Sequence, residues 1–272
     1  MLYPAHFRKA ADGTWEIQTV PEHNRNAAEI SSQRFRRIHL SRVAYLAGLT
    51  HDLGKMCTPF QEYMEKIMAG QPVQRGSVIH AHTAARFFLE RFHTPGAFCS
   101  TQDMTAELLA YATGAHHGLF DCVDERHSLG FSRRLHWDDA LYQEALEAFT
   151  EQCAGLDELE GLFRQACDEL EPVYGWINVH DSNEEIFFYL GLLARLLLSA
   201  VIEGDRLDTI QYQHHTIPDT FSEPQAAFWS RLLLQVEQKL DRLSHDTSIQ
   251  RARREISPLC KKSADLPSRI YR

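Results

Sequence analysis

The sequence predicts an all-α bundle with a central buried helix. Three observations lead there. Strand-like alternation is almost absent, and apolar residues recur at helical spacing in segment after segment. The longest apolar stretch, Ile186 to Ile202, is short for a membrane span, contains Arg195 and is flanked by acids, so it reads as a core helix and no membrane partner is expected. At 272 residues the chain suffices for one large domain or two small ones, and 44% hydrophobic with 24% charged residues is the balance of a globular protein with a real core.

Taken in order, residues 1–20 read as irregular, with a turn at Asp12-Gly13. A helix starting after Pro21 carries His23, Ala27, Ala28 and Ile30. Ser41 is the expected N-cap of a helix that ends at His51-Asp52, where Gly54 breaks it. Pro59 opens the next segment, with Phe60, Met64 and Ile67 on one face, and Gly70 to Gly76 is a loop. Val78 to Phe92 is expected to be helical; His80 and His82 within it would point about 160° apart, so only one can face a shared site. After a loop at Pro95 to Ser100, Thr105 to His117 places Leu108, Leu109, Ala112 and His116 on one stripe, and Gly118 ends it.

Residues 118–137, with Arg133 and Arg134, read as an exposed loop. Trp137 to Glu171 is amphipathic, with breaks near Gly155 and at Pro172. Asn183 would cap the long apolar helix, whose first-turn acids Glu184-Glu185 suit the helix dipole and which exits at Glu203-Gly204-Asp205. Ser222 to Leu243 is a further amphipathic helix, on Phe228, Leu232, Val236, Leu240 and Leu243. The tail is basic, with Arg251, Arg253, Arg254, Lys261 and Lys262. The expected division is one domain over 1–245 and a basic helical connector over 246–272.

A net charge of −9 argues against gripping nucleic acid by bulk electrostatics, though bound divalent metals would add positive charge where a phosphate sits. The six cysteines form no CxxC pair and no secretory leader precedes them, so reduced thiols and a cytoplasmic location are expected. No GxxxxGK[ST] occurs, which excludes ATP binding through a P-loop.

The chemistry-bearing residues are histidines and aspartates. His51-Asp52 alone could be a surface histidine beside a capping aspartate. It is accompanied by His23, by His80 or His82, by the tandem His116-His117 and by Asp205, each on or beside a helical segment. Imidazole with carboxylate and no thiolate suits divalent transition metals. Adjacent helix residues lie about 100° apart, so one wall can serve two ions, with Asp52 the better bridging carboxylate. Two ions about 3.5–4 Å apart can activate water and neutralise charge during phosphate-ester hydrolysis. Lys55, one turn past His51, could meet a substrate phosphate. Arg195 and Ser199 would be costly in the core unless paired.

On these residues the chain resembles the HD metal-dependent phosphohydrolases. It is most similar to the CRISPR-associated HD nuclease, the N-terminal module of the type I interference nuclease–helicase. The resemblance rests on His51-Asp52-Leu53-Gly54-Lys55 with Phe60-Gln61, on His80 with Ala84-Ala85, and on His116-His117-Gly118. Arg195, Ser199, Asp205-Arg206-Leu207-Asp208-Thr209 and His23 in Pro-Glu-His complete it. It implies an HD-domain helical bundle with a metal site in its core. His23, His51, Asp52 and Asp205 would hold one ion, and His80, His116 and His117 a second, with Asp52 bridging and Lys55 and Arg206 assisting.

The implied metal is manganese, with nickel, cobalt, iron or magnesium as alternatives. The implied activity is endonucleolytic, then processive, cleavage of single-stranded DNA in the R-loop opened by the CRISPR surveillance complex. The implied partners are that complex and a helicase domain, in cis or in trans. Two departures stand out. Ala81 follows His80 where the family has serine, which keeps His82 open as the ligand, and Gly204 replaces the usual alanine, a small change. The competing readings are an HD phosphohydrolase acting on a nucleotide or cyclic nucleotide, and a non-catalytic module docking through 222–272.

Overall fold

The computed structural model of the chain describes residues 2–10, 12–74, 76–78, 80–94, 96, 100–118, 135, 138–179, 182–214, 225–244 and 246–264. Nearly all of the expected 118–137 loop, the start of the helix expected from Ser222, and Cys99 and Cys122 lie outside these residues. The chain packs as two compact units, Met1–Ile217 and Pro218–Arg272. Among the described residues, Cys57, Cys153, Cys167 and Cys260 are free.

The first unit is helical apart from an N-terminal hairpin, β1 (Pro4–Lys9) and β2 (Trp15–Thr19), paired antiparallel. The hairpin corrects the irregular reading of residues 1–20. Its turn is the Asp12-Gly13 pair: Gly13 takes a positive φ of 86° and Asp12 Oδ1 accepts from the Thr14 amide and hydroxyl. The helices are α1 (Val20–Phe35), α2 (Ser41–Thr50), α3 (Thr58–Met68), α4 (His82–Phe92), α5 (Thr101–Gly114), α6 (Asp139–Gln152), α7 (Leu156–Ile177) and α8 (Asn183–His214). A 3₁₀ turn, Leu53–Met56, joins α2 to α3. Helix α1 packs chiefly on α2 and α8, α4 on α5, and α2 on α7. The core between them holds Phe87, Phe88, Phe149, Leu46, Leu49, Leu53, Leu109, Leu159, Leu170 and Leu197, and Phe92 stacks on Phe163 with centroids 3.8 Å apart.

Several helix ends differ from expectation for identifiable reasons. Helix α1 starts one residue before Pro21, held by a Thr19–Glu22 capping box. Ser41 is the first residue of α2 rather than its cap. The free amides of Arg42 and Val43 are instead taken by the Glu169 carboxylate of α7, at 2.8 and 3.1 Å. Because that carboxylate does the work of an N-cap, Glu169→Ala is expected to cost about 1–2 kcal/mol and lower the thermal midpoint; an unchanged midpoint would remove this role. Ser182, not Asn183, caps α8, its hydroxyl accepting from the Glu185 amide. Helix α7 runs through Pro172 to Ile177, because Leu170, Tyr174 and Ile177 keep its far end buried. Helix α4 begins at His82, so His80 lies before it.

Helix α8 departs most from expectation. It does not exit at Gly204 but continues to His214, and it is buried along one stripe rather than all round. Leu193, Leu197, Leu198, Ala200, Val201, Gly204 and Asp208 face the bundle, while Phe187, Phe188, Leu192 and Leu196 are exposed. Arg195 and Ser199 fall on the exposed side and therefore carry no burial cost. By length and hydropathy alone α8 could cross a membrane, but its C-terminal half is built into the bundle against α1. Gly204 is what permits that contact. A Cβ there would stand 2.6 Å from the Ala27 carbonyl oxygen and 2.5 Å from Ser31 Oγ, so the glycine is not a small change from alanine in this chain.

The second unit contains α9 (Gln225–Asp241) and α10 (Ser248–Ala264). Arg251, Arg253, Arg254, Lys261 and Lys262 of the basic tail lie on α10.

Candidate metal centre

The interior of the first unit gathers a group of acids and imidazoles that a core would ordinarily exclude. Helix α1 supplies His23, the end of α2 supplies His51 and Asp52, the segment before α4 supplies His80, the end of α5 supplies His116 and His117, and α8 supplies Asp205. The seven side chains named from the sequence as metal ligands converge. His23, His51 and Asp52 are fully buried, and His117 is exposed at the mouth.

Local bonds set the positions. Asn24, next to His23, donates to the Leu49 carbonyl at 3.0 Å and ties α1 to the end of α2 just before His51. Gln61 donates to the Lys55 carbonyl at 2.7 Å and pins the 3₁₀ turn. Gly54 lets the 80–83 segment come close; a Cβ on it would lie 2.2 Å from the His80 carbonyl oxygen and 2.3 Å from Thr83 Oγ1. His82 points elsewhere, lining a small cavity with Cys57, Arg86 and Tyr142.

The two carboxylate oxygens of Asp52 divide the cluster. Oδ2 lies 3.4 Å from His23 Nε2 and 3.3 Å from His51 Nε2. Oδ1 lies 3.6 Å from His80 Nε2 and 3.4 Å from His116 Nε2. Asp205 Oδ1 approaches His23 Nε2 at 3.3 Å, and His80 and His117 meet through their Nε2 atoms at 2.8 Å. Lys55 forms a short ion pair with Asp52 Oδ2 and is itself buried. Arg206 is exposed and makes none of the described contacts with the cluster.

The protonation pattern follows. Burial disfavours charge on His23, but the surrounding carboxylates of Asp205, Asp208 and Asp52 outweigh it and push its pKa up to about 10. His51, also buried, is raised to about 9 by Asp52 and Asp205. Asp52 and Asp205 are held well below the usual carboxylate range; burial opposes this, and Lys55 with His51 overcomes it for Asp52, His23 with His51 for Asp205. Burial and the positive charges nearby lower His80 to about 3 and His117 to about 4.

Divalent metals fit this donor set. The Nε2 atoms of His23, His51 and His116, and Asp52 Oδ1, are buried without a hydrogen-bond partner, and all aim inward. Two groups, His23/His51/Asp52/Asp205 and Asp52/His80/His116/His117, each bring four donor atoms within 4.8 Å of one another. Two neighbours join the cluster, His6, which the sequence does not single out, and Asp208, quoted in the Asp205–Thr209 segment without a role. His6 of β1 packs edge-on to the His23 ring with centroids 4.7 Å apart, and burial lowers its pKa to about 4. Asp208, one turn after Asp205, bonds His23 Nδ1 at 2.6 Å; its signal was the i,i+3 spacing of two acids on one helix.

A helical bundle whose His/Asp groups could hold a metal is the architecture of an HD-type fold. A family model described as Cas3, HD domain matches residues 7–178, more than half of the chain, and the chain belongs to that family. No curated protein matches it. Membership makes this a metal-dependent nuclease module of the CRISPR type I system, with nucleic acid as substrate and a helicase as partner. The matched range holds every clustered side chain except Asp205, which α8 delivers from beyond it.

Proposed function

We propose that the cluster is a two-metal phosphodiesterase centre that cleaves single-stranded DNA. His23, His51, Asp52 and Asp205 would hold one divalent ion, and His80, His116 and His117 a second, with Asp52 as the carboxylate common to both groups. The observation that carries this is the division of Asp52: one oxygen faces His23 and His51, the other His80 and His116. When bound, the two ions activate water and neutralise charge on the phosphoryl and leaving oxygens. Imidazole and carboxylate donors without thiolate suit divalent transition metals, and manganese is the one the family resemblance implies, with nickel, cobalt, iron or magnesium as alternatives.

The chain's own residues then have defined tasks. Asp52 fixes the separation of the two donor groups. Lys55 balances the Asp52 charge and would assist by meeting a substrate phosphate oxygen. Arg206, the residue after Asp205 on α8, would assist as a second cation. The net charge of −9 leaves strand guidance to the helicase, in cis or in trans, and to the surveillance complex, whose R-loop exposes the single strand. Residues 246–272 would connect the 1–245 nuclease domain to that helicase, in the cytoplasm.

The test is hydrolysis by the purified chain with manganese, compared across single-stranded DNA, duplex DNA and cyclic nucleotides. Preference for the single strand supports the reading. Turnover of cyclic nucleotides without DNA cleavage would replace it with a small-molecule phosphohydrolase. Since Gly54 admits the His80 segment, Gly54→Ala should weaken one manganese ion by about 10-fold or more, in line with the cost of disturbing a ligand's support, and leave the other in place. Calorimetric titration reads this directly, and two unchanged ions would contradict it.

A further inference from the structure

Four imidazoles of the cluster, His23, His51 and His116 buried and His80 partly buried, are not supported alike. His51 Nδ1 bonds the Gly48 carbonyl at 2.7 Å, His116 Nδ1 the Thr113 carbonyl at 2.5 Å and His80 Nδ1 the Val78 carbonyl at 3.2 Å. Each of these partners is a neutral backbone oxygen on the histidine's own segment. His23 alone is backed by a carboxylate, Asp208 Oδ2 at 2.6 Å, and that carboxylate comes from a different helix.

Asp208 is itself locked in place. It is almost fully buried, Gln18 of β2 donates to Oδ2 at 2.8 Å, and Asn26 of α1 donates to Oδ1 at 2.8 Å. Asp205 and Asp208 are one turn apart on α8, so a single helix grips both ring nitrogens of His23: Asp205 at Nε2 and Asp208 at Nδ1. A carboxylate can only accept, so the His23 proton must sit on Nδ1 once Nε2 serves as a donor atom. The negative charge also makes Nε2 a stronger electron donor than a carbonyl partner would.

We propose that Asp208 is the positioning residue of the His23 half of the centre: it fixes the ring's tautomer and angle and strengthens Nε2, and so sets the metal affinity of that half alone. This deepens the two-metal reading and rests on it. Outer-shell partners of this kind are typically worth about 10–100-fold in metal affinity.

The experiment is calorimetric titration of the metal-stripped full chain with manganese chloride. Asp208→Asn keeps the side-chain volume and removes the charge. It should weaken one of two ions by about 10–100-fold and leave the other as in the wild type, which a general loss of structure would not do. Two ions bound as in the wild type, or both weakened equally, would overturn the assignment. If Asp208→Asn does not fold, Asn26→Ala decides: it frees Asp208 Oδ1 from a partly exposed donor, and a loss of about 3-fold at one ion supports the assignment while no loss overturns it. Wild-type protein that takes up no manganese would overturn the two-metal reading and this assignment with it; two wild-type ions with an unaffected Asp208→Asn would overturn the assignment alone.

Discussion

Asp52→Ala is expected to reduce metal-dependent nicking of circular single-stranded DNA by about 1000-fold or more, on the order of 4 kcal/mol of barrier. Among the described residues, Asp52 is the side chain common to both donor groups. Its Oδ2 stands within 3.4 Å of His23 and His51, and its Oδ1 within 3.6 Å of His80 and His116. Alanine removes the shared ligand and leaves Lys55, its ion-pair partner, buried with an uncompensated charge. Asp52→Asn, which keeps the shape, should lose activity to a similar extent with less disturbance of folding. A circle offers no ends, so the appearance of linear product from the wild type reports endonucleolytic cleavage. Variants retaining activity within about 10-fold of the wild type, roughly 1.4 kcal/mol, would remove Asp52 from the centre.

Metal uptake is expected to tighten more steeply with pH in the His23/His51 half of the centre than in the other. Without metal, His23 and His51 keep their protons up to about 10 and about 9. A divalent ion entering that half must displace both. Its apparent affinity therefore rises by up to about 100-fold per pH unit between pH 7 and 9, two protons being released per ion. His80 and His117, lowered to about 3 and about 4, are already neutral there and release none.

The stability of the metal-free protein runs the opposite way. The raised histidines stabilise the fold fully below their unfolded value of about 6.5, and this is lost as pH climbs through 9 and 10. Asp52 and Asp205, held low, stabilise it above their unfolded value of about 3.9, and this is lost as pH falls. Stabilisation by manganese, measured as the difference in thermal midpoint with and without chelator, should thus grow from pH 6.5 to 9. Equal pH dependence for both ions in calorimetric titrations would contradict this assignment of protons.

How far the sequence reached can be judged residue by residue. Helical periodicity located the bundle, and the spaced histidines with His51-Asp52 and Asp205 pointed to a common pocket, because those residue types are costly in a core unless they serve one another. Periodicity also gives the stripe of a helix but not what lies against it. It could not tell that Phe187 and Leu192 of α8 are exposed, or that Glu169 caps α2 from a distant helix. Gly204 reads as a breaker from local propensity, whereas its contact with Ala27 is a tertiary fact that keeps α8 going to His214. The choice between His80 and His82 stayed open because both were placed on one helix; α4 starts at His82, and His80 reaches the cluster from the segment before it. The hairpin was legible in Asp12-Gly13 flanked by short β-formers, and the reading stopped at the turn. Asp208 was visible one turn beyond Asp205, but its bond to His23 needed the third dimension.

The most direct test is anomalous diffraction from crystals of the chain grown with manganese. Two peaks about 3.5–4 Å apart are expected on either side of Asp52, one among His23, His51 and Asp205 and the other among His80, His116 and His117. A single peak, or two peaks that do not share Asp52, would contradict this expectation.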